Sequence, residues 1–141
     1  MTTAQANAAH DSELADRVNR AEAIVSGVVI ETKRLETQRP AFLSQHNPDW
    51  HQAVIQVDTV EKGHITTKDL PVFYAASSDI AWFQSPKLSK GDRGIWLLQN
   101  KDPFGKDVPG LAVVKPLDRQ PIENLTKVRS LLQNNRDQQG H

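Results

Sequence analysis

The stretch His46-Asn47-Pro48-Asp49-Trp50-His51 gathers two imidazoles and a carboxylate within six residues, the densest set of metal-ligand types in the 141-residue chain. Imidazole nitrogen and carboxylate oxygen are the donors that zinc and similar cations take. The spacing fits no zinc signature and the group lies where a loop meets a strand, so no metal and no other cofactor is expected. His64 follows a turn glycine, and His10 and His141 lie in the terminal stretches, so all three are read as solvated. A nucleophilic enzyme sets a serine or threonine beside a histidine and a carboxylate. Ser44 and Ser85 fall in loops that lack the strand-turn-helix context of a nucleophile elbow. Gly91-Asp92-Arg93-Gly94 leads into a strand and not into a helix N-terminus, so it is no phosphate cradle. Cysteine is absent, which excludes disulfides, thiolate metal sites and thiol nucleophiles together. No catalytic residue is assigned.

Binding chemistry has better candidates. Trp82 and Phe83 stand side by side in the irregular stretch 77–88, and Trp50 borders a long loop at 33–49. Exposed aromatic rings anchor protein partners or stack on bases; the alternative is that these rings cover the ends of the fold. Lys87, Lys90 and Arg93 offer a small basic rim next to them. Trp50, Trp82, Phe83, Lys87 and Lys90 are therefore the candidate partner-binding residues. Lysine plus arginine equals aspartate plus glutamate at 17 each. The signs barely segregate: 5 basic and 7 acidic residues fall in 1–49, 5 and 5 in 50–100, and 7 and 5 in 101–141. The strong basic field of a nucleic-acid binder is not visible at this level.

The elements that must position these residues follow from periodicity. Ser12 can cap a helix over 12–22, with Leu14, Val18 and Ala21 at helical spacing. Ala23–Thr32 is rich in β-branched residues around a central Gly27, the mark of a strand that bends or bulges. A second strand over 50–61 turns Ala53, Ile55, Val57 and Thr59 to one face, taken as the core. Lys62-Gly63 ends it. A third strand spans 69–75, with Pro71 at its start or on an edge. Arg93–Gln99 reads as a central strand buried on both faces, and Gly110–Lys115 as a fifth strand. A closing helix over 121–133 carries the stripe Ile122, Leu125, Val128, Leu131 and Leu132, which packs on the sheet or plugs one end of a barrel. The expected fold is mainly β: a five-stranded OB-like barrel, closed or partly open, with a helix at each end. Residues 12–133 form one domain between tails at 1–11 and 134–141. No apolar run approaches the length of a bilayer-spanning helix.

The β run Ala23–Val29 with its internal glycine, the strand ending Val57-Asp58-Thr59-Val60-Glu61-Lys62-Gly63, and Lys90-Gly91-Asp92-Arg93 followed by Trp96-Leu97-Leu98 together resemble bacterial modules of the OB-like superfold. The layout over 21–115 is similar to the tissue inhibitors of metalloproteinases and to netrin-like domains. That resemblance implies a barrel and a site outside the cytoplasm. It transfers no inhibitory residue, because the inhibitors act through an N-terminal cysteine and this chain has none. Ala4-Gln5-Ala6 and Ala6-Asn7-Ala8 have the form that precedes signal-peptidase cleavage, and Met1 is the sole methionine. The expected location is periplasmic or secreted, with a leader removed, and otherwise cytoplasmic. The expected function is that of a noncatalytic binding module for another protein. Single-stranded nucleic acid is the alternative ligand, and a hydrolase-like enzyme a weaker one.

Overall fold

Ile95, Trp96, Leu97 and Leu98 are all buried in the computed structural model, as a strand apolar on both faces requires. The structure describes residues 12–34, 49–77, 82–101 and 107–139. In chain order these form helix α1 (12–20), strands β1 (Ala23–Arg34), β2 (Trp50–Lys62), β3 (Asp69–Ala75), β4 (Arg93–Lys101) and β5 (Asp107–Val113), a 3-10 turn (Pro116–Asp118), strand β6 (Arg119–Gln120), a second 3-10 turn (Ile122–Asn124) and helix α2 (Leu125–Gln139).

The sheet runs β1-β2-β3-β5-β4, and pairing of β4 with β1 closes it into a ring of five strands. Every neighbouring pair in the ring is antiparallel except β3 and β5, which meet in parallel at Phe73↔Ala112 and Tyr74↔Val113. That seam is short, so the ring is not a regular barrel. The mainly-β fold with a helix at each end is as the sequence predicts.

Closing the ring requires β1 to bend between two partners. Its Gly27 sits opposite Val57 of β2 and Gly94 of β4. A Cβ at Gly27 would lie 2.3 Å from the Gln56 carbonyl oxygen, so no other residue allows β2 to approach this closely. The backbone oxygen of Gly27 accepts a hydrogen bond from Trp96 Nε1 at 3.2 Å, which ties the bend to the central strand.

Alternation along the strands divides the apolar residues between two cores. Inside the ring, Val25, Ala53, Ile55, Val72, Trp96 and Leu98 are among those that pack together. On its outer wall Ile24, Ile95 and Leu97 meet Leu14 and Val18 of α1 and Val128 of α2. Both helices thus cover the β1/β4 wall. Each large apolar side chain so buried contributes about 1.5–3 kcal/mol.

Several boundaries differ from expectation: β1 runs on to Arg34, β2 to Lys62 and β4 to Lys101. Helix α1 stops at 20, not 22, because Glu22 already pairs its N–H with the Leu98 carbonyl at 2.8 Å. The fifth strand is shifted from 110–115 to Asp107–Val113, since the Val114 N–H turns to the Asp118 carboxylate at 2.9 Å. The closing helix starts with a 3-10 turn and runs on to Gln139. Of the expected 33–49 loop, residues 33 and 34 belong to β1, and 35–48 lie outside the described residues.

Candidate binding surface

Between β3 and β4 the chain crosses through residues 76–92, the stretch that carries most of the aromatic and cationic candidates. Trp82 is only 2% exposed. Its ring meets Trp50 edge-on, with centroids 5.5 Å apart and planes at 67°. Trp82 is therefore part of the packed interior and presents no ring face to a partner, whereas the adjacent Phe83 is 56% exposed. Leu88 closes the segment by joining the inner core.

Polar groups hold this turn in shape. Ser85 Oγ donates to the Trp82 carbonyl at 2.7 Å, which makes it a turn-forming hydroxyl. The ammonium of Lys87 donates to the carbonyls of Ala75, Ser77 and Trp82 and lies 3.0 Å from Ser85 Oγ. Partial burial pushes its pKa below that of a free lysine. Lys87 is thus a staple that gathers backbone oxygens, with its charge turned inward.

Arg93 of the expected rim, and Arg119 beside it, are ion-paired. Arg93 Nη1 donates to Asp58 Oδ2 at 2.7 Å. Arg119 lies over the Trp96 ring at 5.5 Å, bonds the Lys87 carbonyl and stands 3.4 Å from Asp92. Lys90 is exposed on a turn whose Ser89 N–H is held by Asp92 Oδ2 at 2.9 Å. Among the described residues, Phe83 and Val60, at 56% and 41%, are the large apolar side chains left exposed.

The histidine group is only partly visible. His46 lies outside the described residues, as do His10, His141 and Ser44. His51 Nε2 is 3.6 Å from Asp49 Oδ2, its ring lies 5.6 Å from that of Tyr74, and Arg34 Nε approaches Asp49 Oδ1 at 3.5 Å. Asp49 adopts φ 52°, a left-handed backbone that Asp tolerates better than most residues. Among the described residues no three His, Cys, Asp or Glu side chains come together as a metal-ligand group.

Three polar centres escaped sequence reasoning. Asp118 is fully buried and holds Arg17, Gln99 and two backbone N–H groups. Its proline-led turn, Lys115-Pro116-Leu117-Asp118, is a capping pattern that is recognisable in the sequence. Lys62 Nζ donates to the Val18 and Asn19 carbonyls at 3.0 and 2.8 Å, capping α1 from across the sheet. Ser26, Thr59, Glu61 and Arg129 form a hydrogen-bonded chain linking β1, β2 and α2. In these two cases the partners lie far apart in sequence, and no local pattern marks them.

Neither protein-family models nor curated proteins provide a match for the chain.

Proposed function

We propose that this chain is a noncatalytic binding module of OB-like architecture that acts outside the cytoplasm and engages another protein. The observation that carries the reading is Phe83: a phenyl ring 56% exposed on a turn whose backbone is held by the buried Trp82 and the Lys87 staple. A large ring presented without freedom to reorganise is what a protein hot spot uses, because less ordering entropy is lost on binding. The ring order β1-β2-β3-β5-β4 with one parallel seam supports the OB-like part of the reading. Kinship with the tissue inhibitors of metalloproteinases and netrin-like domains is proposed for layout alone. The extracytoplasmic location rests on the Ala-x-Ala tripeptides near the N-terminus, and fractionation of cells expressing the gene tests it.

Single-stranded nucleic acid is the weaker ligand on charge grounds. Lys87 is turned inward, and of the two exposed members of the expected basic rim Arg93 is paired with Asp58, so its charge is partly neutralised beside that of Lys90. The test is co-purification with wild type and with Phe83→Ala, followed by identification of the retained proteins. A partner kept by wild type and lost by the variant, with unchanged thermal unfolding, supports the proposal. Retention by both overturns it for this surface. Labelled single strands titrated at low salt examine the other ligand; tight binding there would displace the protein-partner reading.

A further inference from the structure

Strand β1 is longer than the ring it closes. Its ladder with β4 ends at Val28↔Arg93, and the Val29 N–H and carbonyl then bond Asp92 and Gly91 at 2.8 and 2.7 Å. Pairing with β2 continues through Glu31↔Val54, Thr32↔Ala53, Lys33↔Gln52 and Arg34↔His51. Over 30–34 the opposite edge of β1 has no strand partner among the described residues. Glu31, Lys33 and Arg34 are exposed and Thr32 is half-buried.

An edge without a strand partner among the described residues is a template for one more strand. We propose that a second copy of this chain occupies it, with the two β1 edges pairing antiparallel about a two-fold axis through Thr32. The charges select that register. A two-fold through Thr32 sets Glu31 opposite the partner subunit's Lys33 and repeats the pair by symmetry. Moving the axis by one residue brings like charges together, Glu31 against the partner's Glu31 or Lys33 against the partner's Lys33. Edge charges commonly guard against such pairing; here the order Glu-Thr-Lys blocks the neighbouring two-fold registers and favours one. With so short a ladder the interface is small and the association weak.

Analytical ultracentrifugation of the whole chain, from low micromolar to near-millimolar concentration, tests this. The expected result is a reversible monomer–dimer equilibrium that weakens with added salt. Glu31→Lys and Lys33→Glu alone each replace attractive pairs by repulsive ones and weaken the dimer about tenfold or more. The double variant Glu31→Lys/Lys33→Glu restores the opposite pairs and recovers wild-type association. Circular dichroism on each variant monitors folding, and Phe83→Ala leaves the equilibrium unchanged, which separates this surface from the one proposed above. A chain that stays monomeric throughout overturns the proposal, leaving the edge to an extended segment of a different protein. A dimer indifferent to both single reversals, or not rescued by the double one, also overturns it.

Discussion

Arg17 grips Asp118 with both arms of its guanidinium: Nε donates to Oδ1 at 2.9 Å and Nη2 to Oδ2 at 2.8 Å. Oδ1 also accepts from Gln99 Nε2 at 3.3 Å, and Oδ2 from the N–H groups of Val114 and Lys115 at 2.9 and 3.0 Å. One buried carboxylate thereby joins α1, β4 and the exit of β5. Removing the guanidinium would leave a desolvated charge without its counter-ion, so Arg17→Ala should cost about 3 kcal/mol or more in denaturant unfolding. Arg17→Lys should recover only part of that loss, because an ammonium cannot reproduce the two-armed geometry. Full recovery by lysine would show that charge alone matters.

Two glycines make a contrasting pair. At Gly27 an added Cβ would meet the Gln56 carbonyl oxygen at 2.3 Å and Ile55 Cγ2 at 2.8 Å. The obstacle is largely backbone, and Gly27→Ala should destabilise by about 3 kcal/mol through overpacking. At Gly91 the space is open but φ is +95°, so Gly91→Ala should cost only about 1 kcal/mol of backbone strain. Thermal unfolding of the two variants checks the order, which equal losses would refute.

How far the sequence is legible depends on how local the deciding force is. Strand β3 has the expected ends because Leu70, Val72 and Tyr74 alternate with an exposed Pro71, and that period needs no knowledge of neighbours. The two faces of β4 were readable from Ile95 to Leu98 for the same reason. Strand β5 was displaced because Asp107 and Pro109 look like turn residues, and because Val114 leaves the ladder for a carboxylate four residues ahead. Trp82 and Phe83 are adjacent and chemically alike, yet one is buried and the other exposed. The contact of Trp82 with Trp50, which lies outside 77–88, marks that difference, and the order of residues within the stretch does not reveal it.

Glu61 ties α2 to the ring and should give the fold an acid limit. Arg129 donates to it through Nε at 2.7 Å, and Thr59 adds a further bond. These partners, with the Arg129 bond leading and burial opposing, hold the carboxyl below its ordinary 4.5. A carboxylate with a depressed folded pKa contributes stability that is present above the unfolded value and is lost as pH falls through the folded one. Unfolding free energy should therefore decline below about pH 4.5 in wild type, and less steeply in Glu61→Gln. Identical acid slopes in the two proteins would remove Glu61 from the account.

Tyr74 is the chain's only tyrosine, so ultraviolet titration reads one phenol. Burial raises its pKa above 10.0, the Thr32 hydrogen bond lowers it, and the Asp49 charge raises it. The absorbance midpoint should lie above 10.0 in the folded protein, higher still in Thr32→Val and lower in Asp49→Asn. Because the folded value is the raised one, the associated stability is intact below the unfolded pKa and is lost as pH climbs through the folded pKa. A midpoint at or below the ordinary value would mean that the phenol is solvated.

Lys87 and Lys90 are three residues apart and should behave as unlike groups. Lys87→Met keeps most of the apolar stem but removes the donor shared by the carbonyls of Ala75, Ser77 and Trp82. That should cost about 1–3 kcal/mol, and amide hydrogens of 82–88 should exchange faster as the turn loosens. Loosening would also withdraw the rigidity that makes Phe83 an anchor, so any partner held through that ring should bind Lys87→Met less tightly though its own contacts are untouched. Lys90 is exposed, and Lys90→Ala should alter neither stability nor exchange beyond a few tenths of a kcal/mol. If the two variants exchange at the same rate across 82–88, the staple does not hold the turn, and Phe83 owes its exposure to the burial of Trp82 alone.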